Sequence, residues 1–237
     1  MRIPVPEPIL DVCRRVRRAG GRALVVGGAV RDAAFGLVPK DFDLEVYGLP
    51  VSRLEGLLAP LGTVHRVGRS FGVLKLRLPD GKELDVALPR RENRVGRGHR
   101  GFLVEPDPDL SPRDAAARRD FTINAMAYDP LAAELLDFFG GMDDVRARIL
   151  RPVSPAFRED ALRVLRGFQF AGRFRLTAAP ELLPLAREML GDYPDLAIER
   201  IWWEWRKWAE LSEMPSKGLE VLSVTGWLAP YPELEAL

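Results

Sequence analysis

Asp41 and Asp43 flank one phenylalanine in Lys40-Asp41-Phe42-Asp43-Leu44-Glu45-Val46, downstream of a diglycine in Leu24-Val25-Val26-Gly27-Gly28-Ala29-Val30-Arg31-Asp32. If Asp41–Val46 is a strand, alternate side chains share a face, so both carboxylates project together while Phe42 and Leu44 point into a core. Parallel carboxylates repel each other unless a cation sits between them. Mg²⁺ is the natural resident, because it takes a few carboxylates plus water and substrate phosphates. The diglycine supplies the complementary half. Arg22–Val26 reads as a short buried strand and Ala29–Phe35 as a helix, and glycines between them let backbone N–H groups approach an anion. Alone, a diglycine is an ordinary turn and Asp-x-Asp a solvated loop. In this order they predict a metal-dependent nucleotidyl or phosphoryl transfer site.

The elements that must position these groups follow from periodicity. Pro6–Ala19 carries Ile9, Leu10, Cys13 and Val16 at helical spacing with Arg14, Arg15, Arg17 and Arg18 opposite, and Gly20-Gly21 ends it. Val51–Ala59 fits a short helix. Gly62–Val67, Phe71–Leu78 and Lys82–Leu88 fit strands, the last two joined by a Pro79-Asp80-Gly81 turn, and Asp85 lies in the last of them. Helices mixed with a small, largely antiparallel sheet predict an α/β (α+β) N-terminal part distinct from a Rossmann fold. Arg91–Ala117 has no sustained periodicity. It carries Arg91, Arg94, Arg97, His99 and Arg100 and then three prolines, which reads as a long loop suited to a triphosphate or an RNA end, with a merely solvated loop as the alternative.

Arg119 and Asp120 can pair, and a helical turn would bring Asn124 to the same polar cluster, with Phe121 and Met126 as core. Glu134–Phe138 reads as a closing strand, and Leu150–Val153 as the link to an all-α part. There Leu162, Leu165 and Phe168 or Gln169 recur at helical spacing. Asp160, Arg163 and Arg166 then form a polar row at i, i+3 and i+6, which by base rate is a surface salt-bridge ladder. Glu181–Leu190 and Asp195–Leu211 are further helices. Ile198, Ile201, Trp205 and Trp208 make the core stripe of the second, and Trp202 and Trp203 face elsewhere, as a packing surface or an RNA stacking platform.

Gly-Gly-x-Val-Arg-Asp followed by Asp-x-Asp resembles the signature of the polymerase beta superfamily, most closely the class II tRNA nucleotidyltransferase (CCA-adding enzyme) and bacterial poly(A) polymerase family. Arg118-Arg119-Asp120-Phe121-Thr122-Ile123-Asn124-Ala125-Met126-Ala127 resembles that family's most recognisable motif almost letter for letter. Glu159-Asp160-x-x-Arg163 and Glu199-Arg200-x-x-x-Glu204-x-x-Lys207 resemble two more. The resemblance implies a catalytic nucleotidyltransferase head over residues 1–150, a helical base-reading neck over 151–212 and the start of a body domain over 213–237. It implies two Mg²⁺ ions held by Asp41 and Asp43 with Asp85 as third acid. Gly27, Gly28, Arg31, Arg119, Asp120, Asn124 and Arg166 would bind nucleotide, and Arg90, Arg94, Arg97 and Arg100 would contact RNA. Asp160 and Arg163 would read the base. Cytosine and adenine both offer an amino donor beside a ring-nitrogen acceptor, whereas uracil and guanine reverse that pattern, so an aspartate and an arginine together accept C and A.

The implied reaction transfers CMP and AMP from CTP and ATP to the 3′ end of tRNA. CC-only, A-only and poly(A) synthesis stay open within the family, and a catalytically silent RNA- or partner-binding subunit stays open outside it. Many members of the family continue where this sequence stops, so a fragment, a minimal enzyme, or a body supplied by a separate chain or homo-oligomer is expected. Of 237 residues 47% are hydrophobic and 29% charged, enough for one large or two small cores. Thirty-five basic against 34 acidic residues leave a charge of +1, so any RNA surface must be local. One cysteine and two histidines exclude a disulfide framework and disfavour a Cys/His zinc site. No apolar run approaches the ~20 residues a bilayer span needs, and a cytoplasmic protein without a membrane partner is expected.

Overall fold

The buried runs and alternating segments of the N-terminal half close into one mixed sheet. The computed structural model describes residues 1–67, 72–94 and 102–234. In chain order the first half carries α1 (Glu7–Arg18), β1 (Arg22–Val26), α2 (Gly28–Ala34), β2 (Asp43–Tyr47), α3 (Val51–Leu58), β3 (Thr63–Val67), β4 (Val73–Arg77), β5 (Glu83–Ala87), β6 (Arg90–Arg94), β7 (Phe102–Pro106), α4 (Pro112–Ala117), β8 (Ala127–Asp129) and β9 (Glu134–Leu136). Seven of these strands pair in the order β3-β4-β5-β2-β1-β8-β9. Every neighbouring pair is antiparallel except β2 and β5, which run parallel in the middle of the sheet. At the β4–β5 turn the Gly81 N–H donates to the Leu78 carbonyl at 2.9 Å, and Gly81 sits at φ +83°, where only glycine is at ease.

Helix α1 buries Ile9, Val12, Cys13 and Val16 and packs on β1 and α3. Val12 takes the place expected of Leu10, because positions 9, 12, 13 and 16 follow the 3.6-residue period more closely. The same helix is tied down at its end. Arg17 and, from β1, Arg22 both converge on buried Asp129 of β8, at 3.4 and 2.9 Å.

Two expectations are corrected in this half. β2 begins at Asp43, so Asp41 and Phe42 lie in the segment leading into it, and Phe42 is only half-buried. The reason is the partner strand. Val26 pairs with Asp43, and beyond Val26 the chain turns away at Gly27, so β1 offers Asp41 no partner even though β5 extends back to Glu83. The stretch read as a long loop contains a two-stranded antiparallel ribbon, β6 with β7, and the helix α4. Arg-Arg-Glu-Asn-Arg has no apolar alternation, so a ribbon held by backbone pairing leaves no periodic trace.

The second half carries α5 (Gly141–Ala147), β10 (Ile149–Leu150), α6 (Leu162–Phe174), β11 (Thr177–Ala178), α7 (Leu182–Glu188), α8 (Ile198–Leu211) and α9 (Pro215–Thr225). Two compact units result. One takes Met1–Val95, Phe102–Ala117 and Asn124–Phe139, and the other includes Arg118–Ile123 and Gly140–Leu237. The helical unit therefore starts at Gly140, ahead of the expected divide at 150, because β10 pairs in parallel with β11 and α5 packs on β10.

Residues 213–234 also belong to this unit and not to a separate body. Helix α9 makes the most extensive helix–helix contact on α6, at glycines. A Cβ on Gly218 would stand 2.8 Å from the Phe168 carbonyl oxygen and 2.5 Å from Trp208 Nε1. Trp227 is fully buried and its Nε1 donates to the Ala186 carbonyl at 2.6 Å. On α8 the inward face is Ile201, Glu204, Trp205 and Trp208, with Phe168 against both indoles at 4.5 and 5.0 Å. Ile198, expected in the core stripe, is 68% exposed in the first turn, and Trp202 and Trp203 are exposed too. Among the described residues no helix is long and apolar enough to cross a membrane.

Candidate active site

The sheet presents two carboxylates side by side. Along β2 burial alternates, with Leu44 and Val46 fully buried and Asp43 exposed. In the parallel register Asp43 lies opposite Asp85 of β5, and since neighbouring strands run ~4.8 Å apart their side chains rise from one face as adjacent partners. On the same face Leu24, Val26, Tyr47 and Ala127 form a small apolar cluster closed by Ala115 and Leu136. That cluster fixes the strands from which the acids project. Glu45 and Lys75, which sequence reasoning passed over, complete the surroundings. The Tyr47 hydroxyl donates to Glu45 Oε2 at 2.6 Å, and Lys75 Nζ stands 3.6 Å from Asp85 Oδ1 and 3.0 Å from Glu83 Oε2. Both lie at i+2 or cross-strand positions from an acid, a signal available only once the register is known.

Among the described residues no three acidic, histidine or cysteine side chains gather into a metal cage. Mg²⁺ is usually held by one or two carboxylates and completes its octahedron with water and substrate phosphates. A paired, hard-oxygen, outward-facing donor set is of that kind.

The diglycine turn follows the last residue of β1 and so stands next to Asp43. Gly27 has φ 68° and ψ −128°, a conformation closed to residues with a Cβ. Behind it Arg31 is only 7% exposed. Its Nη1 donates to Asn124 Oδ1 at 3.0 Å, and its Nε and Nη2 donate to Asp32 Oδ1 at 2.8 and 2.6 Å. Arg31 thus braces the turn against the Asn124 loop.

Asp120 and Asn124, expected in one cluster with Arg119, take different arginine partners. The segment bends, bridges Phe121 to Pro152 and makes a single 3-10 turn over Thr122–Asn124, so helical spacing does not apply. Asn124 takes Arg31, while Asp120 takes Arg166 Nε at 2.7 Å and the Phe121 N–H at 2.8 Å. Burial works against the Arg166 charge. The Asp120 carboxylate, with Glu204 and Asp160 beyond it, outweighs that and holds the guanidinium above its ordinary value. Asp120→Ala therefore strands a cation. Because Arg166 keeps about a third of its side chain in water, the expected loss is ~1–3 kcal/mol, below that of a fully buried pair. Urea unfolding measures it, and Asp120→Ala/Arg166→Met should recover part of it.

Asp160 and Arg163 do not share a helix face. A 3-10 turn over Pro155–Glu159 precedes α6, and Asp160 is extended, its Oδ1 accepting the Leu162 N–H at 3.0 Å and its Oδ2 accepting Arg200 Nη2 at 2.6 Å. Arg163 donates from Nη1 to the Ala156 carbonyl at 2.6 Å and from Nη2 to the Arg118 carbonyl at 2.9 Å. Arg118 in turn reaches Glu159 at 2.8 Å. This is an organised, partly buried constellation and not a solvated ladder. Arg119 lies half-buried in the same segment as Asp120. Arg90 is exposed at the start of β6, where Arg91 is ion-paired with Asp107. Arg94 ends that strand, and Arg97 and Arg100 fall outside the described residues. Cys13, with burial pushing its thiol up to about 12, is a packing residue and no nucleophile.

A mixed sheet with acids on adjacent central strands beside a glycine turn, followed by a mainly helical unit, defines the class of fold. Residues 23–151 match the poly A polymerase head domain family. The chain is 43% identical over 221 residues to the multifunctional CCA protein of Stenotrophomonas maltophilia strain K279a, covering 90% of this chain and 52% of that protein. It is 40% identical over 222 residues to the protein of the same name from Xylella fastidiosa strain 9a5c, covering 91% and 51%. Among solved structures, the Bacillus stearothermophilus CCA-adding enzyme in complex with CTP superposes with a TM-score of 0.76 at 27% identity, covering 94% of this chain and 53% of that one. The Thermotoga maritima CCA-adding enzyme complexed with tRNA_CCA gives 0.75 at 25% identity, covering 94% and 52%. The chain spans about half the length of these relatives. It belongs to the poly A polymerase head domain family.

Proposed function

We propose that this chain carries the transferring part of a template-independent RNA nucleotidyltransferase that adds CMP and AMP to the 3′ end of tRNA with release of pyrophosphate. The observation that carries the reading is the register of Asp43 against Asp85 beside the Gly27 turn. The bound molecules of the matched structures support the choice of CTP and tRNA, and the CCA in the relatives' names supports adding A after C.

Asp43 and Asp85, with Asp41 from the lead-in segment, would hold two Mg²⁺ ions. When bound, these make the terminal ribose hydroxyl more acidic and neutralise the triphosphate in an in-line displacement. The chain's own groups do the rest. Gly27 and Gly28 present backbone N–H groups to phosphate, since a Cβ at Gly27 would force the turn open. Arg31 holds that turn in place from behind, and Arg119 is assigned a contact to nucleotide, with Arg166 kept in place by Asp120. Asp160 accepts from the exocyclic amino group of C or A and Arg163 donates to the ring nitrogen. U or G would leave a partly buried charged group unmatched, which discriminates better than shape. Arg90, Arg94, Arg97 and Arg100 contact RNA phosphates in this reading, which is set in the cytoplasm. The grip on the tRNA body is assigned to a further part, on a continuous chain, a separate chain or a second copy.

The decisive assay incubates the protein with Mg²⁺ and tRNA lacking its terminal CCA, each NTP singly and then in mixtures. CTP followed by ATP is expected to extend the RNA by CCA, and UTP or GTP at least ~100-fold more slowly. Extension that stops at CC, requires CC, or runs into poly(A) would reassign the specificity within the family. No incorporation with any nucleotide would remove the enzymatic reading.

A further inference from the structure

The two proposed base readers are held in place by different means. Arg163 is fixed by main-chain carbonyls, Ala156 at 2.6 Å and Arg118 at 2.9 Å, which no side-chain substitution removes. Asp160 is fixed by one backbone N–H and one side chain. Its Oδ1 accepts from Leu162 N at 3.0 Å, and Arg200 of α8 places Nη2 2.6 Å from Oδ2 and Nη1 3.5 Å from Oδ1. The pair is partly buried, with the arginine side chain 33% exposed and the aspartate 24%. A carboxylate has about four lone-pair positions, so Arg200 and Leu162 leave others open while removing the freedom to rotate. A planar guanidinium facing both oxygens is a two-point clamp, which an ammonium cannot reproduce.

We propose that Arg200 is a positioning residue for base selection: by clamping Asp160 in one orientation as an acceptor, it confines recognition to bases with an amino donor. The inference rests on the proposed function, in which Asp160 meets the base. Without the clamp Asp160 retains its charge but not its orientation. It can then meet U or G through a water, and the penalty for a wrong base falls.

The test measures kcat/KM for all four NTPs on tRNA lacking CCA. Wild-type protein must first prefer C and A, and if it does not, the proposed function fails independently of Arg200. Given that preference, Arg200→Gln is expected to lower the ratio of C and A to U and G incorporation by roughly tenfold or more, with Arg200→Lys intermediate. An Arg200 that serves only to hold α8 would slow all four nucleotides alike and leave the ratio unchanged, which overturns the proposal. In an Asp160→Ala background, Arg200→Gln should cause no further loss of selectivity, and an additive loss overturns it too. If Arg200→Gln no longer melts cooperatively, Arg200→Lys decides: a reduced ratio supports the clamp and a wild-type ratio overturns it.

Discussion

Asp43→Asn is expected to remove nucleotide incorporation, by at least ~10³-fold in single-turnover extension of tRNA, without lowering the melting temperature. The first half of that expectation comes from chemistry. Asp43 is the acid whose position the sheet defines on both sides, paired with Val26 before the glycine turn and with Asp85 on the parallel neighbour, and metal-assisted displacement loses its template without it. The second half comes from packing. Asp43 is exposed, and replacing one of two adjacent carboxylates by an amide relieves repulsion. Asp85→Asn should show the same pattern with a smaller loss, because Lys75 already shares its carboxylate. Turnover that survives in Asp43→Asn would remove the metal assignment, and a fall in melting temperature would show that the acid pair has a structural duty.

Trp227→Ala is expected to be the most destabilising single change in the helical unit, by ~3–5 kcal/mol. The indole is fully buried, packs edge-on to Tyr193 at 5.8 Å and donates to the Ala186 carbonyl. Removing it opens a cavity and takes one of two donors from that carbonyl, which keeps the Met189 N–H at 3.2 Å. Trp227→Phe keeps much of the volume and loses the hydrogen bond, so a cost nearer ~1–2 kcal/mol is expected. Denaturant midpoints for the two variants check the order. Wild-type midpoints in both would show that Trp227 contributes little to this unit's stability.

Where local pattern and long-range pairing agree, the chain was readable from its letters. β1, α3 and the Pro79-Asp80-Gly81 hairpin fall where periodicity and turn chemistry put them, because each is decided by its own residues. Asp85 stood in the right strand, but only the parallel pairing with β2 makes it a neighbour of Asp43, and register between distant strands leaves no local trace. The strand expected from Asp41 begins at Asp43, because β1, its antiparallel partner, ends opposite Asp43. The row of Asp160, Arg163 and Arg166 looked helical because the helix is real from Leu162 onward. A 3-10 turn ahead of it put Asp160 just before the helix, where it accepts from the Leu162 N–H and from Arg200 of α8. The ribbon of β6 and β7 escaped notice because neither Arg-Arg-Glu-Asn-Arg nor Phe-Leu-Val-Glu-Pro alternates polar with apolar residues. The candidate site was therefore legible as a set of residue types, while the pairings among them, Arg31 with Asn124 and Asp120 with Arg166, were not.

Among the described residues the backbone passes between the two units after Ala117, after Ile123 and again after Phe139. Arg118–Ile123 travels with the helices although sheet residues flank it on both sides. Anyone building hybrids from two relatives must therefore exchange that hexapeptide together with everything from Gly140 onward. A single splice at the obvious border would graft one parent's Asp120 onto the other parent's Arg166, and the hybrid would inherit a seam through its own polar core.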